Sequence, residues 1–408
     1  MSPRHAAGAL ALLALSLART AVSAPLVPAL PGSPARSGVL LAAASSPQAP
    51  GLISRGELPP VRHVFVLLLE NKSYAVTFGR DSAAPYLAHT LPARGALLTQ
   101  YYAIGHASLG NYVALISGQA PNEDTQLDCP TFADFRASTS ALDAHGQLPG
   151  SGCVYPASVQ SLPDQLEAAG LTWKGYMEDM GKNLARESAT CGHVPLGQPE
   201  TTQLAQPSDQ YAAKHDPFVY FHAIIDKPAR CNAHVVNLAR LPADLLSEAS
   251  TANYTFITPN LCNDGHDAEC ADGRRGGLTA IDVFLRKWVP LIEGSPAFRA
   301  DGLLVITFDE SEGAGAEGSS ACCGERPLPG AKYQPGISGP GGGRVGAVVL
   351  SPFVKPGTVS AVPYNHYSLL RTVEALFGLS YLGYAAEPDL KVFGPDVFSA
   401  FAPRSPTP

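Results

Sequence analysis

The tightest constraint in this sequence is a pair of uninterrupted apolar runs that end on acidic residues. His63–Leu69 reads HVFVLLL and is followed at once by Glu70 and Asn71. Leu303–Phe308 reads LLVITF and is followed by Asp309 and Glu310. A strand with one wet face alternates apolar and polar residues; a continuous apolar run suits a strand covered on both faces of a parallel sheet. Leu171–Met177, Phe218–Phe221, Tyr254–Thr258 and Val345–Leu350 read as further strands. Ser161–Ala169, Thr279–Val289 and Tyr367–Phe377 read as helices, the first and last stopped by Gly170 and Gly378. This alternation predicts an α/β fold, a largely parallel central sheet with helices on both faces, in a single catalytic domain. Ligands bind such sheets in the crevice beyond the carboxyl ends of the strands. Glu70 and Asn71, Asp264 and His266, and Asp309 and Glu310 each follow a strand, so they are expected to meet on one edge.

The chain has 408 residues. Its start reads as an export signal. Arg4 and His5 precede the apolar stretch Ala6–Leu17, and Ala21–Ala24 supplies small residues for cleavage, so residues 1–24 read as a signal peptide. Residues 25–60, rich in Pro, Ala, Ser and Gly, read as a linker, 61–394 as the catalytic domain and 395–408 as a flexible tail. No later segment is apolar enough to span a bilayer. A net charge of −7 gives no basic footprint for nucleic acid. Eight cysteines in an exported chain indicate disulfides. Cys262 and Cys270 bracket a polar loop that a bridge would pin. Cys322 and Cys323 are adjacent, and Cα atoms about 3.8 Å apart are closer than disulfides prefer, so each is expected to pair elsewhere.

Ser108 lies in Gly105–Gly118 (GHASLGNYVALISG), just ahead of a predicted helix with Val113, Leu115 and Ile116 inside. A serine there is either an N-cap or a nucleophile facing an anion, because helix N-termini present free N–H groups and a positive dipole end. No G-x-S-x-G elbow surrounds it, which argues against a serine esterase. Adjacent carboxylates at Asp309 and Glu310 repel each other unless a hard cation, which prefers oxygen ligands, lies between them. His106, His215, His266 and His366 each read equally as local contacts or as site groups. The run Gly339–Gly343 lacks the ending of a phosphate-binding P-loop and reads as a flexible surface loop.

Six segments in order, over roughly residues 61 to 385, resemble a known family. They are Val64–Tyr74 (VFVLLLENKSY) with Phe78-Gly79, Gly105–Tyr112 (GHASLGNY), Tyr211 with Lys214–Phe221 (KHDPFVYF), Thr258–Asp267 (TPNLCNDGHD), Thr307–Glu310 (TFDE) and Pro363–Arg371 (PYNHYSLLR). The pattern is similar to the phosphoesterase family, which holds bacterial and fungal acid phosphatases and phospholipase C-like enzymes within the alkaline-phosphatase-like superfamily. The resemblance implies a secreted phosphomonoesterase that works through a phosphoserine, with phosphoinositides among its conceivable substrates. Ser108 would be the nucleophile, and with Glu70, Asp309 and Glu310 would hold one divalent metal ion. A second ion would have to draw on Asp264, Asp267, His266 and His366. Asn71, Asn111 and His106 would donate to phosphoryl oxygens, and His215 belongs with the substrate-binding residues without an assigned role. His266 and His366 would stand on the leaving-group side, one as general acid. Gly110 replaces a proline usual in the nucleophile motif and is expected to loosen that turn. The rival readings are a phospholipase C-like phosphodiesterase and, from another class, a secreted binding protein that kept the fold without catalysis.

Overall fold

The computed structural model describes residues 58–313 and 315–399. The expected signal peptide and most of the expected linker lie outside the described residues. Eight strands form the central sheet: β1 His63–Leu69, β2 Ala96–Leu98, β3 Trp173–Met177, β4 Val235–Asn237, β5 Tyr254–Thr258, β6 Gly302–Phe308, β7 Ala347–Leu350 and β8 Thr358–Ser360. Their order across the sheet is β8-β2-β7-β6-β1-β5-β3-β4. From β6 to β4 every pairing is parallel, whereas β7 runs antiparallel to both β6 and β2. In β1, β5, β6 and β7 every residue is buried, which for side chains alternating between faces means that both faces are covered. The register pairs Leu69 of β1 with Phe308 of β6, so Glu70 and Asp309 leave the sheet side by side.

The principal helices follow from their ends. Helix α1, Ser108–Ser117, and helix α4, His366–Phe377, stop at left-handed glycines, Gly118 (φ 67) and Gly378 (φ 68). These two helices pack against each other. Helix α2, Leu162–Ala168, starts with a capping box in which the Asp164 carboxylate accepts from the Ser161 N–H at 2.9 Å. Helix α3, Gly277–Gly294, is longer than the 279–289 expected from sequence and carries Pro290 within it. At the amino edge of the sheet His63 pairs with Asp301 at 2.7 Å.

Five expectations need correction. Residues Pro217–Tyr220 form a 3-10 turn rather than a strand, because Asp216 accepts from the Phe218 N–H and starts a turn. Cys322 and Cys323 pair with each other: the remaining cysteines close Cys129–Cys153, Cys191–Cys231 and Cys262–Cys270, leaving the neighbours together with Cα atoms 3.7 Å apart. The glycine run is not a surface loop at its carboxyl end. Gly341, Gly342 and Gly343 are buried, and Gly342 lies so close to the Gly105 carbonyl that no side chain would fit between them. Leu58, assigned to the linker, is buried in the core. Residues 395–399 pack rather than trail: Val397 and Phe398 are buried, and Asp396 accepts from the Tyr364 hydroxyl at 2.8 Å.

Candidate active site

The three strand-end clusters do meet. Asp309 N–H donates to the Leu69 carbonyl and Glu70 N–H to the Asp264 carbonyl, each at 2.9 Å, which ties the exits of β1, β5 and β6 together. Ser108 is the first residue of α1, and Ala107 holds the cap position without a side-chain bond. The N-cap reading of Ser108 is therefore displaced by one residue, and its hydroxyl is free for other work. Its Oγ donates to Glu70 Oε2 at 2.9 Å. Two more donors reach the same carboxylate: Tyr112 Oη to Oε1 at 2.6 Å and Asn71 Nδ2 to Oε2 at 3.0 Å. Asn71 has a left-handed backbone (φ 52), which turns its N–H onto Asp309 Oδ1 at 3.0 Å. His215 stacks on Tyr112 and stands 3.3 Å from both Glu70 Oε1 and Asp264 Oδ2.

These groups share a buried pocket of negative charge. Burial, followed by the charges of Asp309 and Asp264, holds the Glu70 carboxyl well above its ordinary range. Burial dominates at Asp264 also, and at Asp309 burial with the neighbouring Glu310 raises the pKa to about 7. Burial and the charge of Lys214 push the His215 imidazole well below its usual value, so it is neutral. Both ring nitrogens of His215, Asp264 Oδ2 and Asp309 Oδ2 are buried without a hydrogen-bond partner among the described residues. Unpaired buried polar atoms clustered this densely are costly. Oxygen donors with one neutral imidazole are the ligands a divalent cation takes, and Glu70, His215 and Asp264 present ligand atoms within 4.8 Å of one another. The residues present fit such an ion.

Other expected site residues serve differently. Asn111 is fully buried and spends its amide on the nucleophile turn: Oδ1 accepts from the Ile104 and Gly105 N–H groups, and Nδ2 donates to the Gly105 and Ala107 carbonyls. Nothing is left for a phosphoryl oxygen. His106 bonds the Gly318 carbonyl through Nε2 at 2.7 Å and Glu310 through Nδ1 at 2.7 Å. Burial lowers its pKa, but the hydrogen bond and charge of Glu310 outweigh this and raise it, which favours an imidazolium. Glu310 thus meets His106, while its charge still bears on Asp309. His366 is buried with Nε2 on the Asp309 carbonyl at 2.6 Å and Nδ1 on the Tyr101 hydroxyl at 3.1 Å. A carbonyl must receive Nε2–H, so Nδ1 accepts. Burial lowers the pKa of His366 to about 4, and a neutral, fully engaged ring in the wall is not placed to give a proton to a leaving group. His266 is more open, with Nδ1 on Asp267 Oδ1 at 2.8 Å. Gly110 does not loosen the turn: it lies inside α1, and a β-carbon there would come within 2.9 Å of the Pro121 side chain.

Sequence reasoning missed Lys214 and Asp128. Lys214 Nζ is 3.1 Å from Asp128 Oδ2, and burial of the lysine is outweighed by Asp128, Glu70 and Asp309, which keep it charged. Asp128 also accepts from the Leu109 N–H at 3.0 Å, so it links this cation to the start of α1. A lysine beside His215 in KHDP was the available signal.

The sequence matches the Phosphoesterase family over residues 82–380. The chain belongs to the phosphoesterase family. It is a phosphoric ester hydrolase, and the matched span holds Ser108, Lys214, His215, Asp264 and Asp309, while Glu70 precedes it and touches Ser108. This phosphoesterase is 29% identical over 389 residues to a probable acid phosphatase of Kluyveromyces lactis, covering 92% of this chain and 72% of that one. It is 26% identical over 347 residues to a phosphatidylinositol-3-phosphatase of Mycobacterium tuberculosis, covering 84% and 86%. Among solved structures it is similar to a protein in the alkaline phosphatase superfamily from Vibrio parahaemolyticus, with a TM-score of 0.43 and 12% identity over 84% of this chain and 73% of that one.

Proposed function

We propose that this phosphoesterase hydrolyses phosphate monoesters by passing the phosphoryl group through Ser108. The observation that supports this most directly is the hydrogen bond from Ser108 Oγ to the buried Glu70 carboxylate at the first turn of α1. Oγ attacks phosphorus, the bond to the leaving oxygen breaks, and the hydroxyl proton passes to Glu70 Oε2. The positive end of the α1 dipole and the Lys214 ammonium face the phosphoryl oxygens. His266, oriented by Asp267, gives its Nε2 proton to the leaving oxygen. Water then hydrolyses the phosphoserine, releasing phosphate and restoring the hydroxyl. A divalent cation held by Glu70, Asp264, Asp309 and His215 would supply positive charge against the serine alkoxide and the phosphoryl oxygens.

The names of the relatives, acid phosphatase and phosphatidylinositol-3-phosphatase, support a monoester substrate. Four disulfides support work in an oxidising compartment, in line with the leader read from sequence, and no helix among the described residues is long and apolar enough to cross a membrane. Assays with p-nitrophenyl phosphate and bis-p-nitrophenyl phosphate test the reading in wild type and Ser108→Ala. Hydrolysis of the monoester that disappears in Ser108→Ala is expected. Preference for the diester would favour the phosphodiesterase reading, and full activity in Ser108→Ala would remove the nucleophile.

A further inference from the structure

A cleft of about 710 Å³ opens beside the nucleophile turn. His106, Ala107 and Glu310 line its inner end, and the side chains of Leu127, Tyr333 and Ile337 line its outer part. These three large side chains are 69%, 66% and 63% exposed, and no described residue covers them. Such a cluster at the mouth of a site is unlike single exposed apolar residues scattered over a surface.

The rim is held in a fixed relation to Ser108. The His106 N–H donates to the Pro335 carbonyl at 2.8 Å, so the segment carrying Tyr333 and Ile337 is tied to the residue two before the nucleophile. Gly105 makes this approach practicable, because a β-carbon there would sit 2.8 Å from the same carbonyl. Gln126, beside Leu127, reaches the same segment, its Nε2 donating to the Gln334 carbonyl at 2.7 Å. Both walls of the cleft are therefore fastened to each other and to the turn.

The charges in the cleft decide what it accepts. Glu310 is paired with His106 at 2.7 Å, and Glu123 with Lys332 at 3.4 Å. No lysine or arginine lines it, and His106 is already held by Glu310 and the Gly318 carbonyl, so a second phosphate or carboxylate on the substrate would find no free cation there. We infer that this cleft is the leaving-group subsite and selects phosphate monoesters of uncharged, apolar alcohols. The inference rests on the phosphoserine reading above, because it places the phosphoryl group at Ser108 and lets the alcohol extend past Ala107 onto Leu127, Tyr333 and Ile337.

The test is kcat/KM for n-alkyl phosphates from methyl to hexyl, whose leaving groups differ in apolar length and little in chemistry, with 3-phosphoglycerate as the charged comparison. It is run on wild type and on Leu127→Ser/Tyr333→Ser/Ile337→Ser, a change confined to exposed side chains. Wild type is expected to gain about tenfold or more from methyl to hexyl as methylenes leave water, and to disfavour 3-phosphoglycerate. The triple variant is expected to flatten that series while keeping the methyl phosphate rate. A flat wild-type series, or a triple variant that keeps the slope, overturns the subsite. If wild type cleaves none of these esters, the phosphoserine reading fails, and calorimetric binding of hexylphosphonate judges the subsite separately. Equal binding by wild type and triple variant would then overturn it; loss of binding in the variant would uphold it.

Discussion

In one group of residues near Ser108, Asn111 bonds four backbone groups, and His106 and His366 have both ring nitrogens engaged. In a second group Asp264 and Asp309 each leave a buried oxygen unpaired, and His215 leaves both nitrogens unpaired. All are buried polar residues drawn from the same family-like motifs, yet the first group is finished and the second is not. A buried polar group with every partner in place holds a shape; a cluster without partners carries a free-energy cost that a bound cation removes. The difference sorts scaffold from chemistry without reference to conservation.

The largest effect should come from the unfinished side. Treatment with a chelator is expected to lower activity roughly a thousandfold, with recovery on adding a divalent ion. A calorimetric titration of the chelated protein should show binding that Asp264→Asn weakens at least about tenfold. Chelator-resistant activity with no measurable binding would break the contrast. On the finished side, Asn111→Ala should destabilise the fold by about 3 kcal/mol in denaturant titrations, because it leaves backbone groups of the 104–107 turn unpaired. A change below about 0.5 kcal/mol would return Asn111 to the list of phosphate donors.

The histidines sharpen the same contrast. His266→Gln is expected to slow an alkyl phosphate about thirtyfold and p-nitrophenyl phosphate, whose leaving group needs little protonation, by less than about threefold. An equal loss on both substrates would assign His266 a structural role. The smallest effect concerns Glu374, on helix α4. Burial raises its pKa to about 9, and one of its oxygens has no partner. A carboxyl held protonated in the fold but ionised when unfolded costs stability as pH rises from its ordinary value toward 9. Glu374→Gln should therefore gain on wild type by about 1 kcal/mol or more between pH 5 and pH 8, read from denaturant midpoints. A difference independent of pH would mean that an unpaired oxygen is no guide to a group's protonation.

Much of this was legible in the sequence. Runs such as His63–Leu69 and Gly302–Phe308 can be buried on both faces only in a covered sheet, and their parallel register forces Glu70 and Asp309 together. Ser108 was legible through its motif. The roles of its neighbours were not, because they depend on partners far away in the chain. Nothing near His366 announces the Asp309 carbonyl, and nothing near His106 announces Glu310 or Gly318. Residues 218–221 look like a strand by composition, but a turn begins at Asp216, next to the His215 that stands between Glu70 and Asp264. Gly342 looked like loop material because a close backbone approach leaves no trace beyond the missing side chain.

The central claim is that the phosphoryl group passes through Ser108 Oγ. Acid quenching of wild type during turnover of a 32P-labelled monoester, with mapping of the labelled peptide, tests it most directly. Label confined to phosphoserine at Ser108 is the predicted result. Turnover with no protein-bound label, or label on a histidine, would contradict it.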